Sequence, residues 1–244
     1  MSDFLKEIIK IKEVEIKKYQ TSSLDLKTKF RQGKLLIIAE IKLATPTIKK
    51  LGCKEDVIPQ AKRYEKAGAD MISVVTEKKF FKGDLAFVSS VKESGVKLPI
   101  LHKDFVIDSL QVYHSKFTGA DAVLLIAKIV DIEVLKELVA LANKLGVEPI
   151  VEINDTEDLK KVLQTKTTFI AVNARDLNTF KINIQKACAL LRKIPDDYIK
   201  LAFSGVNSKE EIAKYTEAGA KGVLIGTSLM KAKDIEGFLR GLKI

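Results

Sequence analysis

Cysteine is scarce in this chain: Cys53 and Cys188 are the only two among 244 residues. They lie far apart, without a Cys-x-x-Cys pair or a histidine cluster, so neither a disulfide framework nor a zinc site is indicated. No metal and no cofactor is expected. Also missing is any run of about 20 apolar residues that could cross a membrane. The start, Met1-Ser2-Asp3-Phe4-Leu5-Lys6-Glu7, alternates charge with apolar residues where a signal peptide would have an apolar core. These absences point to a soluble, cytoplasmic protein without a membrane partner, expected as a monomer. A basic run is lacking too, although the net charge is +10. Lysine and glutamate are interleaved along stretches such as Lys209-Glu210-Glu211-Ile212-Ala213-Lys214, which reads as a solvated surface and not as a nucleic-acid face. The same positive surface would attract a doubly charged phosphate ester, and a small-molecule substrate is the expected partner.

What the chain does have is a rhythm. Eight apolar runs rich in β-branched residues alternate with amphipathic stretches: Leu35 to Ile41, Met71 to Thr76, Leu98 to Lys103, Ala122 to Ala127, Pro149 to Ile153, Phe169 to Asn173, Ile199 to Ser204 and Gly222 to Gly226. Nearly continuous apolar runs suit parallel strands covered on both faces, and the intervening lengths suit helical crossovers. The pattern predicts an α/β fold, a (β/α)8 TIM barrel, in one domain spanning residues 1–244. Residues 3 to 19 read as an additional amphipathic helix within an N-terminal extension of about 33 residues that precedes the barrel. Ala67-Gly68-Ala69-Asp70, Gly119-Ala120-Asp121 and Ala218-Gly219-Ala220-Lys221 form a weak repeat, each closing a helix and leading into a strand. A doubly wound open sheet usually carries a glycine-rich loop after its first strand, and Lys42-Leu43-Ala44-Thr45-Pro46-Thr47 stands there instead.

In an α/β barrel the chemistry sits at the C-terminal ends of the strands. The polar residues there are Glu40 and Lys42, Lys103, Lys128, Glu152, Asn173 and Arg175, Ser204, and Thr227. Lysines and carboxylates ending apolar strands are costly unless paired or facing a cleft, and several on one rim suit general acid/base chemistry. Ser204-Gly205-Val206-Asn207-Ser208 and Ile225-Gly226-Thr227-Ser228 follow the seventh and eighth strands, where barrels commonly bind phosphate through backbone N–H groups.

At these residues the chain resembles indole-3-glycerol phosphate synthase, a barrel of tryptophan biosynthesis, from about Leu35 to Met230. The resemblance rests on Ile37-Ile38-Ala39-Glu40-Ile41-Lys42 followed by Thr45-Pro46-Thr47, and on Glu77-Lys78-Lys79-Phe80-Phe81-Lys82-Gly83. It rests further on Leu98-Pro99-Ile100-Leu101-His102-Lys103-Asp104-Phe105, Val151-Glu152-Ile153, Val172-Asn173-Ala174-Arg175-Asp176-Leu177 and Leu224-Ile225-Gly226-Thr227-Ser228-Leu229-Met230. It implies a lyase that closes and decarboxylates an anthranilate-derived ribulose phosphate. Lys103 would be the general acid and Glu152 its carboxylate partner, while Glu40 and Asn173 orient substrate and acid. Lys42 and Arg175 would hold substrate anions, Ser204 and Phe81 would line the substrate, and Thr45, Gly205, Gly226 and Thr227 would take the phosphate.

One motif departs. Glu-Ser-Gly is usual on the seventh strand, and this chain has Phe203-Ser204-Gly205. A phenyl ring in place of a carboxylate removes an acid/base group and adds apolar volume, so the ancestral reaction is expected to be weakened or lost. Leu43 stands where a basic residue is frequent, and the loop start Ile48-Lys49-Lys50 lacks glycine. Two further readings stay open. One is a scaffold engineered as a Kemp eliminase, in which Glu152, preferred over Glu40, takes a proton from a flat carbon acid stacked on Phe203 while Lys103 stabilises the oxyanion. The other is a non-catalytic barrel that binds a phosphorylated or aromatic ligand.

Overall fold

The computed structural model of the chain describes Leu5, residues 7–10 and residues 26–242. Its core is a closed parallel barrel of eight strands in sequence order: β1 (Leu36–Ile41), β2 (Met71–Val75), β3 (Ile100–Lys103), β4 (Ala122–Ile126), β5 (Glu148–Ile153), β6 (Phe169–Asn173), β7 (Ile199–Phe203) and β8 (Gly222–Ile225). All eight apolar runs are strands, and helices such as Val57–Lys66, Ile132–Leu145 and Lys209–Glu217 fill the intervals. The extra helix expected over residues 3 to 19 lies mostly outside the described residues; Leu5 and residues 7–10 are helical.

Side chains along a strand alternate between its two faces, and that alternation divides the apolar residues into two layers. Ile38, Leu101, Leu124, Ile150, Ala171, Leu201 and Leu224 belong to the cluster that fills the barrel. Their neighbours Ile37, Ile72, Val123, Val151, Ile170, Ala202 and Val223 pack outward against the helices. Carrying the inward register to the strand ends brings Glu40 above Ile38, Lys103 above Leu101, Glu152 above Ile150 and Asn173 above Ala171. The polar rim therefore continues the core's own periodicity.

The repeated helix-to-strand turns do two jobs. Gly68, Gly119 and Gly219 have φ of 82°, 81° and 92°, the left-handed geometry that ends a helix without a Cβ penalty. In the first two, the aspartate that follows clasps an earlier strand: Asp70 Oδ2 accepts from Ile37 N at 2.9 Å, and Asp121 Oδ2 from Ile100 N at 2.8 Å. Below the strands, the helix Leu26–Arg31 closes the barrel by placing Leu26 and Phe30 in the inner cluster. Phe30 meets Phe169 edge to face, with centroids 5.4 Å apart, and Lys27 reaches Glu148 at 3.3 Å. Gly222 makes room for the Phe30 ring, since a Cβ there would lie 2.6 Å from it. No helix among the described residues is long and apolar enough to cross a membrane.

Candidate active site

The C-terminal ends of the strands enclose a cavity of about 600 Å³. Glu40, Lys42, Lys103, Glu152, Asn173 and Arg175 all line it, as do Thr45, Phe81, Ser204, Gly205, Gly226 and Thr227. These come from β1, β2, β3, β5, β6, β7 and β8 or the loops after them, so residues scattered over most of the chain converge on one space.

Glu40 is the electrostatic centre. It is buried, yet its two oxygens pair separately: Oε2 with Lys103 Nζ at 2.6 Å and Oε1 with Lys42 Nζ at 2.7 Å. Burial alone would raise its pKa, but the two ammonium groups overcome that and hold it at about 2. Gly226 is what lets this triad fit, because a Cβ at that position would overlap the Glu40 carboxylate and approach Lys42 Nζ to 2.8 Å. Burial would likewise depress Lys103, yet the carboxylates of Glu40 and Glu152 keep its ammonium charged, with a pKa above the usual lysine value.

Glu152 behaves in the opposite way. It is buried, and Asn173 Nδ2 donates a hydrogen bond to its Oε1 at 2.9 Å. Burial pushes its pKa above the usual glutamate value, and neither the Lys103 charge nor the Asn173 bond brings it back. Two carboxylates in one cavity thus have their proton affinities driven apart, one lowered by two ammonium groups and one raised by burial. That is the pattern of an acid/base site.

Two sequence-predicted substrate contacts sit elsewhere. Phe203 is completely buried and does not line the cavity; its ring lies beneath Lys103, whose Nζ is 5.7 Å from the ring centre. Leu43 points into the outer apolar layer, because Lys42 takes the inward position beside it. Lys128 also stays outside the cavity, paired with Asp155 at 2.8 Å.

The sequence reading missed an apolar wall. Phe80 and Phe105 stand on one side, Phe81 and Phe105 having ring centres 6.3 Å apart, and Leu177, Phe180 and Ile182 stand on the other. The second group rides on a turn held by Arg175, which donates from Nη1 to Phe180 O at 3.0 Å, and by Asp176 Oδ1, which accepts from Asn178 N and Thr179 N. Half-exposed apolar residues in a loop directly after a site motif were the available signal. On the β7 and β8 side, Ser204 and Gly205 are both left-handed, with φ of 70° and 81°, and the Ser204 carbonyl is anchored by Tyr215 Oη at 2.9 Å. Among the described residues no cluster of three or more His, Cys, Asp or Glu could hold a metal ion.

A family model described as indole-3-glycerol phosphate synthase matches residues 3–242. Indole-3-glycerol phosphate synthase of Caldanaerobacter subterraneus subsp. tengcongensis is 43% identical over 207 residues, covering 85% of this chain and 80% of that protein. Its counterpart from Petrotoga mobilis is 35% identical over 236 residues, 95% of this chain and 93% of that one. Among solved structures, a 3-hexulose-6-phosphate synthase superposes with a TM-score of 0.68 at 15% identity, covering 85% of this chain and 98% of that chain, a likeness of fold alone.

Proposed function

This chain belongs to the indole-3-glycerol phosphate synthase family, and from that premise we propose that it acts as a lyase on an anthranilate-derived ribulose phosphate, with turnover reduced by Phe203. Ring closure requires protonation of a carbonyl, release of carbon dioxide and expulsion of a hydroxyl. Lys103, held charged by Glu40, serves as the general acid. Glu152 serves as the carboxylate that exchanges protons on the other side of the cavity. Lys42 and Arg175 draw in the substrate's anionic groups, and the left-handed turn at Ser204-Gly205 together with Gly226-Thr227 receives the phosphate through backbone N–H groups.

The observation that carries this reading is the different surroundings of two buried carboxylates in one cavity: Glu40 is paired with Lys103 at 2.6 Å and Lys42 at 2.7 Å, which lowers its pKa, while Glu152 is held by Asn173 at 2.9 Å and its burial raises its pKa. An inert ion-pair network has no need for a buried glutamate that, among the described residues, forms no ion pair within 4 Å. The carbon-acid alternative calls on Phe203 as a stacking face, and the burial of that ring away from the cavity lining favours the lyase reading over it. The test is direct: the purified protein is supplied with the carboxyphenylamino sugar phosphate, and formation of indole-3-glycerol phosphate is followed by the fluorescence of its indole ring. Slow turnover abolished by Lys103→Ala supports the reading, and no turnover in the parent and in Phe203→Glu overturns it.

A further inference from the structure

Asn154 follows β5 immediately but is absent from the cavity wall. Its side-chain Nδ2 donates twice, to the carbonyl oxygens of Asn173 at 2.9 Å and Arg175 at 3.0 Å. Both partners are pure acceptors, so only the nitrogen end of the amide fits there. Its own backbone N–H donates to Oδ2 of the buried Asp158 at 2.8 Å, which fixes where the side chain starts. Ala174, the residue between the two gripped carbonyls, is held from other directions: its N–H donates to Phe203 O and its carbonyl accepts from Asn183 N, each at 2.9 Å. The end of β6 is thus clamped on every side.

The clamped residue faces the chemistry with its side chain. Asn173 donates from Nδ2 to Glu152 Oε1 at 2.9 Å, and its Oδ1 accepts from Arg175 N at 3.0 Å. Asn154 holds the Asn173 carbonyl, and the Asn173 amide holds Glu152. We propose that Asn154 is a positioning residue, which by fixing the end of β6 fixes the direction in which Glu152 presents its carboxylate to the cavity. The proposal rests on the reading of Glu152 as the proton-exchanging group.

Two replacements remove the clamp without adding charge: Asn154→Ala, and Asn154→Leu, which keeps the side-chain volume. The groups facing Glu152 are Lys103 from β3, Glu40 from β1, Asn173 from β6 and Asp158 from the helix Thr156–Val162; neither replacement changes the identity or charge of any of them. The readout is the titration of Glu152 by carboxyl 13C NMR, its resonance assigned with Glu152→Gln. Loss of a well-aligned Asn173 hydrogen bond to the anion should make Glu152 bind its proton about two- to tenfold more tightly. In parallel kcat should fall about 10- to 100-fold, while the dissociation constant of inorganic phosphate stays within about twofold, that ligand being expected on the far side of the mouth. A role confined to stability would lower the melting temperature and leave the titration where it is in the parent. Folded variants with an unmoved Glu152 titration overturn the proposal, and so does failure of both variants to fold. A parent without turnover defeats the lyase reading, and the titration still decides the role of Asn154.

Discussion

Lys103, whose ammonium pairs with Glu40 at 2.6 Å, carries that ammonium 5.7 Å from the centre of the Phe203 ring. The ring offers a weak cation–π contact, of about 0.5–2 kcal/mol, and cannot exchange a proton. Restoring a carboxylate there should therefore raise turnover of the sugar phosphate. We expect Phe203→Glu to gain about 10²- to 10⁴-fold in kcat, the usual contribution of one acid/base group. Phe203→Leu, which removes the ring but adds no carboxylate, should gain nothing. An equal gain in both would attribute the effect to space and not to proton transfer.

The Glu40 triad makes an acid-unfolding prediction. The folded pKa of about 2 lies below the ordinary 4.5, so the stabilisation is complete above pH 4.5 and is lost as pH falls to about 2. Glu40→Gln should cost on the order of 3 kcal/mol at neutral pH and flatten the stability profile between pH 4.5 and 2. Urea unfolding at a series of pH values measures this, and parallel profiles for the two proteins would remove Glu40 from its central place.

Glu152 should show the reverse balance. Because its folded pKa is raised, the stability linked to its proton is present at low pH and fades as pH rises through that value. Glu152→Gln keeps an acceptor for Asn173 Nδ2 and removes a buried charge. It should melt no lower than the parent at pH 7.5, and it should lose about 10²- to 10⁴-fold in turnover. In the parent, the acid limb of kcat/KM should lie above the ordinary glutamate range. A limb within that range, or a variant much less stable than the parent, would contradict the assignment.

In the turn after β7, Gly205 combines a φ of 81° with close neighbours: a Cβ would meet Ile184 at 3.0 Å and Ile182 at 3.1 Å. Gly205→Ala should distort the turn, at a cost of about 1–2 kcal/mol for the left-handed backbone. Inorganic phosphate should raise the melting temperature of the parent and do so less in the variant. Equal protection of both would place the anion away from β7.

The barrel was legible because parallel strands buried on both faces leave near-continuous apolar runs. The edges differ. β3 begins at Ile100, two residues later than the apolar run, although the Pro99 carbonyl still accepts from Ile72 N at 2.9 Å. Polar Glu148 joins β5 because the inward register sends it to the barrel floor, where Lys27 meets it. Alternation also placed Glu40, Lys103, Glu152 and Asn173, and, applied one residue further, it turns Leu43 outward once Lys42 is inward. What periodicity does not carry is which of two inward groups covers the other. Phe203 and Lys103 both point inward, and only the folded chain puts the lysine on top. Asn154 escaped for a related reason: it acts through backbone carbonyls, and those look the same in every sequence.

The helix Leu26–Arg31 gives the molecule a stopper. With Phe30 and Leu26 seated among the inner apolar side chains, the barrel is a cup and not a tube. Among the described residues, a ligand then enters and leaves at the cavity's other end, which Phe80 and Phe105 line from the β2 and β3 loops and Phe180 and Ile182 from the β6 loop. Arrival and departure are then mutually exclusive events, and a spent molecule lingering at the threshold holds off the next one as surely as an inhibitor.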